Sequence, residues 1–379
     1  MNWVALKMLM GDRAKYLSLI FGVAFATLLM TQQVSIFMGI LTRTGNQILD
    51  VNDADIWVMD RHVRFLDEAR PIRDGQLERV RGVAGVAWAV PLHKGQVLSR
   101  LENGETRNVY LTGVDDTSLA GAPTKLLAGN LLDLRQPGAV IIDKAGYEYM
   151  WGTEPYQLGR EFHINDRRVV LVGVCEVGSP FFSVPIIYSR FLEAARIMAP
   201  RAKATTFVLA KTAAGQPVET VRKNIEAATG LTALSRDQFF WKTVWYFIGS
   251  TGIPINFGVT IALGFIVGAA VTGQTLYLFI IENLRQFGVL KAMGLRNSRI
   301  LLMILLQSCV VGGLGFCIGL GMTAMFFIAT SGITALAGIH MTWHALALTS
   351  AAICVITLGT SLFSARKVLV LEPAVVFRG

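Results

Sequence analysis

The chain has 379 residues and a formal net charge of +9, yet only 16% of its residues are charged, and its mean hydropathy is +0.50. An ordinary soluble domain carries about 25% charged residues, so a chain of soluble domains is excluded in favour of one that meets a bilayer. Nucleic-acid binding is a poor reading of the positive charge, because the bases outside residues 43–250 sit beside apolar runs and residues 43–250 are nearly neutral.

In chain order, residues 1–15 form a short cytoplasmic or interfacial helix, with Trp3, Leu6 and Met10 on one side and Lys7 elsewhere, as expected of a segment lying in the inner interface. Tyr16 to Thr42 contains no Asp, Glu, Lys or Arg, and a helix needs about 20 apolar residues to cross the hydrocarbon. This run (16–42, TM1) is too long for the apolar core of a signal peptide and no A-x-A site follows, so it is expected to be a retained anchor. Residues 43–250 have the pattern of a folded α+β domain. Strand-like runs occur at Asp55–Met59, Ala84–Pro91, Val109–Val114, Ala139–Ile142, Arg168–Val174 and Val184–Tyr188, with helical runs at Asp74–Val80 and Pro217–Ala228. A boundary between two lobes is placed near Gly121–Gly129. The aromatic run from Gln238 to Ile255, with Phe239, Phe240, Trp241, Trp245, Tyr246 and Phe247, is expected at the membrane interface.

Charge-free runs return at Thr243–Ile281 and Ile300–Ala365. They predict TM2 at 257–281, TM3 at 300–329, a short turn at 330–342 and TM4 at 343–364, followed by a tail at 365–379. The predicted fold is therefore a membrane α-helical protein of four transmembrane helices, with a large α+β domain inserted between TM1 and TM2. Bases collect at Lys7, Arg13 and Lys15, at Arg285, Lys291, Arg296 and Arg299, and at Arg366, Lys367 and Arg378. By the positive-inside rule both termini and the TM2–TM3 link are cytoplasmic, and the inserted domain is outside.

Chemistry-bearing motifs are scarce. Cys309, Cys317 and Cys354 fall in predicted spans, leaving Cys175 without a partner in the outer domain, and His62, His93, His163, His340 and His344 are scattered. Neither a disulfide nor a metal site is expected, nor any catalytic residue. There is no G-x-x-x-x-G-K-[ST] phosphate loop. Gly264 and Gly268 in TM2, and Gly315 and Gly319 in TM3, have the small-xxx-small spacing that lets helices pack closely, within one chain or across a dimer. The spans carry only neutral polar residues such as Gln32, Gln33, Gln274 and Gln307. An ion-coupled carrier would need ionisable groups at that depth, so energy is expected from another protein.

The link at 282–299 is the most informative segment. Glu282, Arg285, Gln286 and Lys291 surround Phe287, Gly288, Val289, Leu290 and Met293, ending at Gly294. This is an amphipathic helix whose apolar residues can enter a partner's groove while its charges set orientation. Together with Val311-Gly-Gly-Leu-Gly315 and the ending Ala365-Arg-Lys…Glu372-Pro-Ala374, it resembles the FtsX/MacB-like ABC permeases. Ala54–Asp60, Val86–Pro91 and the closing Glu-Pro-Ala-Val-Val-Phe-Arg are most similar to the DevC-type exporters. Gln286 departs from the Glu that relatives often carry.

The resemblance implies a non-catalytic permease subunit in the bacterial inner membrane, with its large domain periplasmic. It implies a homodimer working with a separate cytoplasmic ABC ATPase that binds the ATP and Mg, this chain binding no cofactor itself. A periplasmic adaptor (membrane fusion protein) and a TolC-like outer-membrane channel would complete a tripartite exporter driven by mechanotransmission. An FtsX-like transducer of a cell-wall hydrolase and a lipoprotein-releasing subunit are the alternatives within the same family.

Overall fold

The computed structural model describes residues 2–11, 13–68, 70–73, 75–178, 184–198, 205–331 and 339–370. It divides into a helix unit, Met1–Gly39 with Gly252–Gly379, and a sheet unit, Ile40–Thr251. Most of the turn expected at 330–342, the tail beyond 370 and Asp74 lie outside the described residues. Helix α1 (Asn2–Gly11) precedes α2 (Arg13–Arg43), whose 31 residues exceed the span of a bilayer. Among the described side chains of α1, Ala5 and Leu9 are buried, whereas Trp3 and Met10, on the side expected to lie in the inner interface, are exposed. Small Ala5 lets the α1 backbone approach its neighbour, and a Trp at that position could not.

The sheet unit opens with α3 (Asn46–Asp50) and β1 (Ile56–Met59), followed by α4 (Gln76–Arg81), β2 (Val86–Arg100), β3 (Thr106–Val114) and β4 (Leu126–Gly129). A 3-10 turn at Leu131–Arg135 leads to β5 (Ala139–Asp143), α5 (Lys144–Trp151), β6 (Glu161–Ile164), β7 (Arg167–Cys175), β8 (Ile186–Arg190) and α6 (Phe191–Met198). β9 (Phe207–Thr212), α7 (Val218–Thr229), β10 (Thr232–Ser235) and α8 (Arg236–Ser250) complete it. The strand order is β10-β1-β9-β2-β3-β8-β5-β7-β4, with β6 bridging β2 and β7.

Strand β2 decides this topology. Its first half, Val86–Leu92, pairs with β9, and its second half, His93–Arg100, pairs with β3. The first lobe, β10-β1-β9-β2, is antiparallel. In the second lobe, β3–β8 and β5–β7 are parallel pairs. Because β6 pairs both β7 and the end of β2, the strands β2-β3-β8-β5-β7-β6 close into a ring. Val97, Val109, Leu111, Val140, Ile142, Phe162, Ile164 and Leu171 fill it, so the alternation of β-strand side chains puts one apolar face inside.

The lobe boundary expected near Gly121–Gly129 is not there. β4 pairs with β7 in the second lobe, to which β3 also belongs, and the two lobes share β2 instead. Gly129 has φ +84, and a Cβ there would run into the Val172 carbonyl oxygen, which only glycine avoids. Half of the aromatic run expected at the membrane interface is core. α8 starts at a capping box, where the Ser235 hydroxyl accepts from Gln238 N and the Gln238 side chain accepts from Ser235 N. This phase turns Phe239, Phe240 and Phe247 inward, Phe239 lying 5.6 Å from Trp57. Trp241 and Trp245 stay exposed.

Back in the helix unit are α9 (Ile253–Glu282), α10 (Leu284–Ala292), α11 (Asn297–Thr330) and α12 (Trp343–Leu369). Among the described residues, α2, α9, α11 and α12 are long and apolar enough to cross a membrane. They differ in burial. In its most apolar window α2 is 61% buried and α9 only 17%, so α2 is the most enclosed of the four, while α12 packs along α9 and α11. Hydroxyls on these helices mostly donate to carbonyls one turn back, as Thr27 does to Val23 at 2.8 Å and Thr323 to Gly319 at 2.8 Å. Such bonds satisfy polar groups without a partner helix.

Candidate functional site

The connector between α9 and α11 is a helix held at both ends. Asn283 closes α9, its amide donating to the Phe279 carbonyl at 2.8 Å. At the far end Gly294 has φ +92, Gly294 N donates to Lys291 O at 3.0 Å and Leu295 N to Leu290 O at 3.2 Å. That pair of bonds is a Schellman motif, which needs a left-handed residue and therefore favours glycine. Between the caps, α10 divides into an inner and an outer side. Phe287 is fully buried in the core that contains Phe279, Ile280, Ile300, Ile304, Ala365 and Val368, and Gly288 is buried beside it.

Phe287 and Gly288 therefore cannot enter a partner's groove, as the amphipathic pattern suggested for the apolar residues as a set. Their part is to seat α10 on α9, α11 and α12. The outward residues are Arg285, Gln286, Val289 and Met293, with Leu290 half-buried. Val289 is 39% and Met293 67% exposed. Lys291 faces its own chain, donating to the Leu369 carbonyl at the end of α12 at 2.9 Å. Glu282, at the end of α9, is ion-paired with Lys15 at the start of α2. One polar tie and one aromatic ring thus seat α10, while the Lys15–Glu282 pair joins α2 to the end of α9 beside it.

The four glycines at small-xxx-small spacing converge on α2 within one chain. A Cβ at Gly268 would lie 2.5 Å from Ala26 Cβ, and one at Gly264 3.4 Å from Met30 Cγ. At Gly315 it would meet Val23 at 2.6 Å, and at Gly319 the Ala24 carbonyl oxygen at 2.5 Å. α9 and α11 each press a glycine seam onto α2, where the approach gains dispersion and loses little side-chain entropy. Gly313 and Gly321, in the same glycine-rich run, meet nothing within 4 Å. Gln307 adds a polar tie, donating to the Ala5 carbonyl of α1 at 2.7 Å.

The sheet unit contains a charged group that no motif announced. Lys94 lies in the stretch of β2 that is buried on both faces, and its ammonium donates to Asp67 Oδ1 at 2.5 Å and Gln47 Oε1 at 2.6 Å. Burial pulls the Lys94 pKa down and Asp67 opposes this. Tyr110, 5.1 Å from that ammonium, has its pKa pushed up by burial and then by Asp67. The cluster ties α3 to β2 and to the loop after β1. Asp143 is fully buried, unlike half-buried Asp67. It accepts from Ile186 N at 2.7 Å and Gly146 N at 3.2 Å, yet burial pushes its pKa up to about 6. Among the described residues no group of three His, Cys, Asp or Glu is placed to hold a metal ion.

A family model described as the MacB-like periplasmic core domain matches residues 17–228, and one described as the FtsX-like permease C-terminal matches residues 258–373. The chain belongs to the FtsX/MacB-like permease family. Among solved structures it is similar to the periplasmic region of MacB from Actinobacillus actinomycetemcomitans, at 15% identity and TM-score 0.37, covering 54% of this chain and 96% of that one. It is also similar to the extracellular domain of the ABC-type transporter YknZ from Gram-positive bacteria, at 15% identity and TM-score 0.36, covering 48% of this chain and 98% of that one. Both scores are low, so the family models alone decide the assignment. No curated protein matches the chain.

Permeases of this family are components of ABC transporters and imply an ABC ATPase partner. In this FtsX/MacB-like permease the connector named from sequence is a short helix with one buried side and one exposed side. Its supporting contacts were legible only in part. Lys15, Leu369 and Ala5 carry no local signal, because two of these contacts use a backbone carbonyl and the third pairs residues 267 positions apart. Buried Lys94 gave little local signal, since it follows the apolar stretch Val86–Leu92 and sits between His93 and Gly95.

Proposed function

We propose that this chain is the transmembrane subunit of a DevC-type, MacB-like tripartite exporter in the bacterial inner membrane. Its α2, α9, α11 and α12 span the bilayer, both termini are cytoplasmic and the sheet unit is periplasmic. Two copies work with a cytoplasmic ABC ATPase that binds ATP and Mg, while this chain binds no cofactor and catalyses nothing. A periplasmic adaptor and a TolC-like outer-membrane channel complete the path. The observation that carries this reading is α10. It is bolted to three helices on its inner side, yet presents Val289 and Met293 outward beside Arg285 and Gln286. An exposed apolar pair flanked by charge on a rigidly seated helix is a docking element, and rigid seating is what passes a displacement to α9, α11 and α12.

The test pairs the full chain with its ATPase in lipid vesicles. Met293→Glu is expected to lower ATPase co-purification and chain-stimulated ATP hydrolysis by tenfold or more, about 1.4 kcal/mol per decade. Leu132→Glu, on an exposed residue of the sheet unit, is the control and leaves both unchanged. Full coupling in Met293→Glu, or full activity with no ATPase bound, overturns the proposal. An exporter also predicts that hydrolysis rises when the adaptor is added, whereas a transducer would respond to a cell-wall hydrolase.

A further inference from the structure

Within the helix unit, α9 and α12 enclose a recess of about 1340 Å³ near the end that bears Arg366 and Lys367. Its floor is made of small residues. Gly359 contributes open space, since a Cβ there would meet nothing within 4 Å, whereas one at Gly273 would touch Thr360 Cγ2 at 3.2 Å. Tyr277 and Phe363 stand as walls. The glycine at 359 therefore does not serve helix packing. It leaves a slot.

Three observations on this slot point the same way. Its body is apolar. Arg366 and Lys367 at its rim are exposed and make no side-chain ion pair or hydrogen bond among the described residues, although the nearby Lys15 and Lys291 are both engaged. Gln274 and Tyr277 line it with no side-chain hydrogen bond among the described residues, which is costly for an amide at membrane depth. An apolar protein segment would leave both cations and the amide unmatched. A molecule with an anionic head, an ester-bearing neck and hydrocarbon tails matches all of them, and basic pockets between spanning helices on the cytoplasmic side take such headgroups.

We propose that the α9–α12 recess binds an anionic phospholipid of the cytoplasmic leaflet. The phosphate sits between Arg366 and Lys367, the glycerol esters meet Gln274 and Tyr277, and one acyl chain lies on the floor at Gly359. The location in that leaflet rests on the permease reading above. The bound lipid would fill the gap between the helix that enters α10 and the helix whose end accepts from Lys291.

The test is native mass spectrometry of the full chain released from detergent, with phosphatidylglycerol and phosphatidylcholine of the same acyl chains added in equal amounts. Retention of phosphatidylglycerol over phosphatidylcholine is expected, falling about fivefold for each charge removed in Arg366→Gln and Lys367→Gln. Gly359→Leu, whose Cβ enters open space, is expected to reduce retention of both lipids. Equal retention of the two lipids by the unmodified chain, an unchanged preference in the double variant, or displacement of phosphatidylglycerol by inorganic phosphate overturns the inference. Disulfide cross-linking of two Gly359→Cys copies would assign the recess to a second copy and overturn it also. A Val370→Cys chain labelled by an impermeant thiol reagent from each side separates the two readings. Labelling from outside sinks the permease orientation while leaving the lipid adducts standing.

Discussion

The helix unit and the sheet unit solve the same problem, how to bury polar groups, in opposite ways. In the helices the buried hydroxyls that are satisfied, such as those of Thr27, Ser308, Thr323, Thr349 and Thr357, return to their own backbone, and the charges sit at helix ends, where Lys15 meets Glu282 and Lys291 meets a carbonyl. In the sheet unit a lysine and two carboxyls, of Asp67 and Asp143, are taken into the interior and matched there. A sheet with loops around it can aim several donors and acceptors from distant segments at one buried charge. A helix in a bilayer has its backbone already committed, so tight contact must come from removing side chains. Glycine does for α9 and α11 what hydrogen-bonded charge does for β2.

The sharpest break of this comparison is at the glycine seam. Gly319→Leu would drive a side chain into the Ala24 carbonyl and is expected to abolish accumulation of folded chain, beyond the roughly 1–3 kcal/mol of ordinary overpacking. Gly313→Leu, whose Cβ meets nothing within 4 Å, should give near-normal yield on size-exclusion chromatography of the detergent-solubilised protein. Equal yields would mean that the seam does not hold the helices.

In the sheet unit, Asp67→Asn leaves Lys94 buried without a counter-ion and is expected to cost about 3–5 kcal/mol, while Lys94→Met with Asp67→Leu recovers most of it. Chemical denaturation of the full chain, followed by the fluorescence of the buried Trp57, reads this contrast. Failure of the double variant to recover would show that the bond to Gln47, not the ion pair, is what matters.

Inside α10, Phe287→Ala should destabilise by about 3 kcal/mol, because a fully buried ring leaves a cavity. Met293→Ala should stay within about 0.5 kcal/mol, as an exposed site does. Thermal unfolding of the full chain with a dye that reports the helix unit separates the two. Equal effects would deny that α10 has an inner and an outer side.

The smallest effect expected is a pH slope. Asp143 holds its proton more tightly folded than unfolded, since its pKa is raised to about 6 by burial. Its contribution is complete below the ordinary carboxylate range and is lost as pH rises through about 6, worth at most about 3 kcal/mol. Stability of the sheet unit should therefore fall between about pH 4.5 and 6.5 and level off above it, and Asp143→Asn should flatten that fall. Glu68 and Glu219, whose pKa values are held down to about 2 by Arg64 and Arg222, act with the opposite sign only below the ordinary glutamate pKa, outside this window. A slope unchanged in Asp143→Asn would assign it to other groups.

Much of the architecture was legible in the amino-acid order. Charge-free runs marked the long apolar helices, and Val- and Ile-rich runs bounded by Gly or Pro marked strands. The mixed charge of 282–294 marked α10. These signals are local, set by composition over a few turns, so one stretch of chain carries them whole. The packed side of α1, the inward set of the α8 aromatics and the seat of Phe287 were not legible. A helix's burial phase depends on which neighbour it meets, and Ala5 is buried where α11 lies beside α1 and the Gln307 amide donates to its carbonyl. The ring of strands and the double role of β2 were hidden for the same reason, since pairing joins residues such as Ser99 and Ile164 that share no local pattern. Amino-acid order by itself determined where the chain is apolar, charged or extended. Only the tertiary structure decided which glycines touch, which cation is buried and which face of α10 is free, because those are properties of distances between segments far apart in the chain.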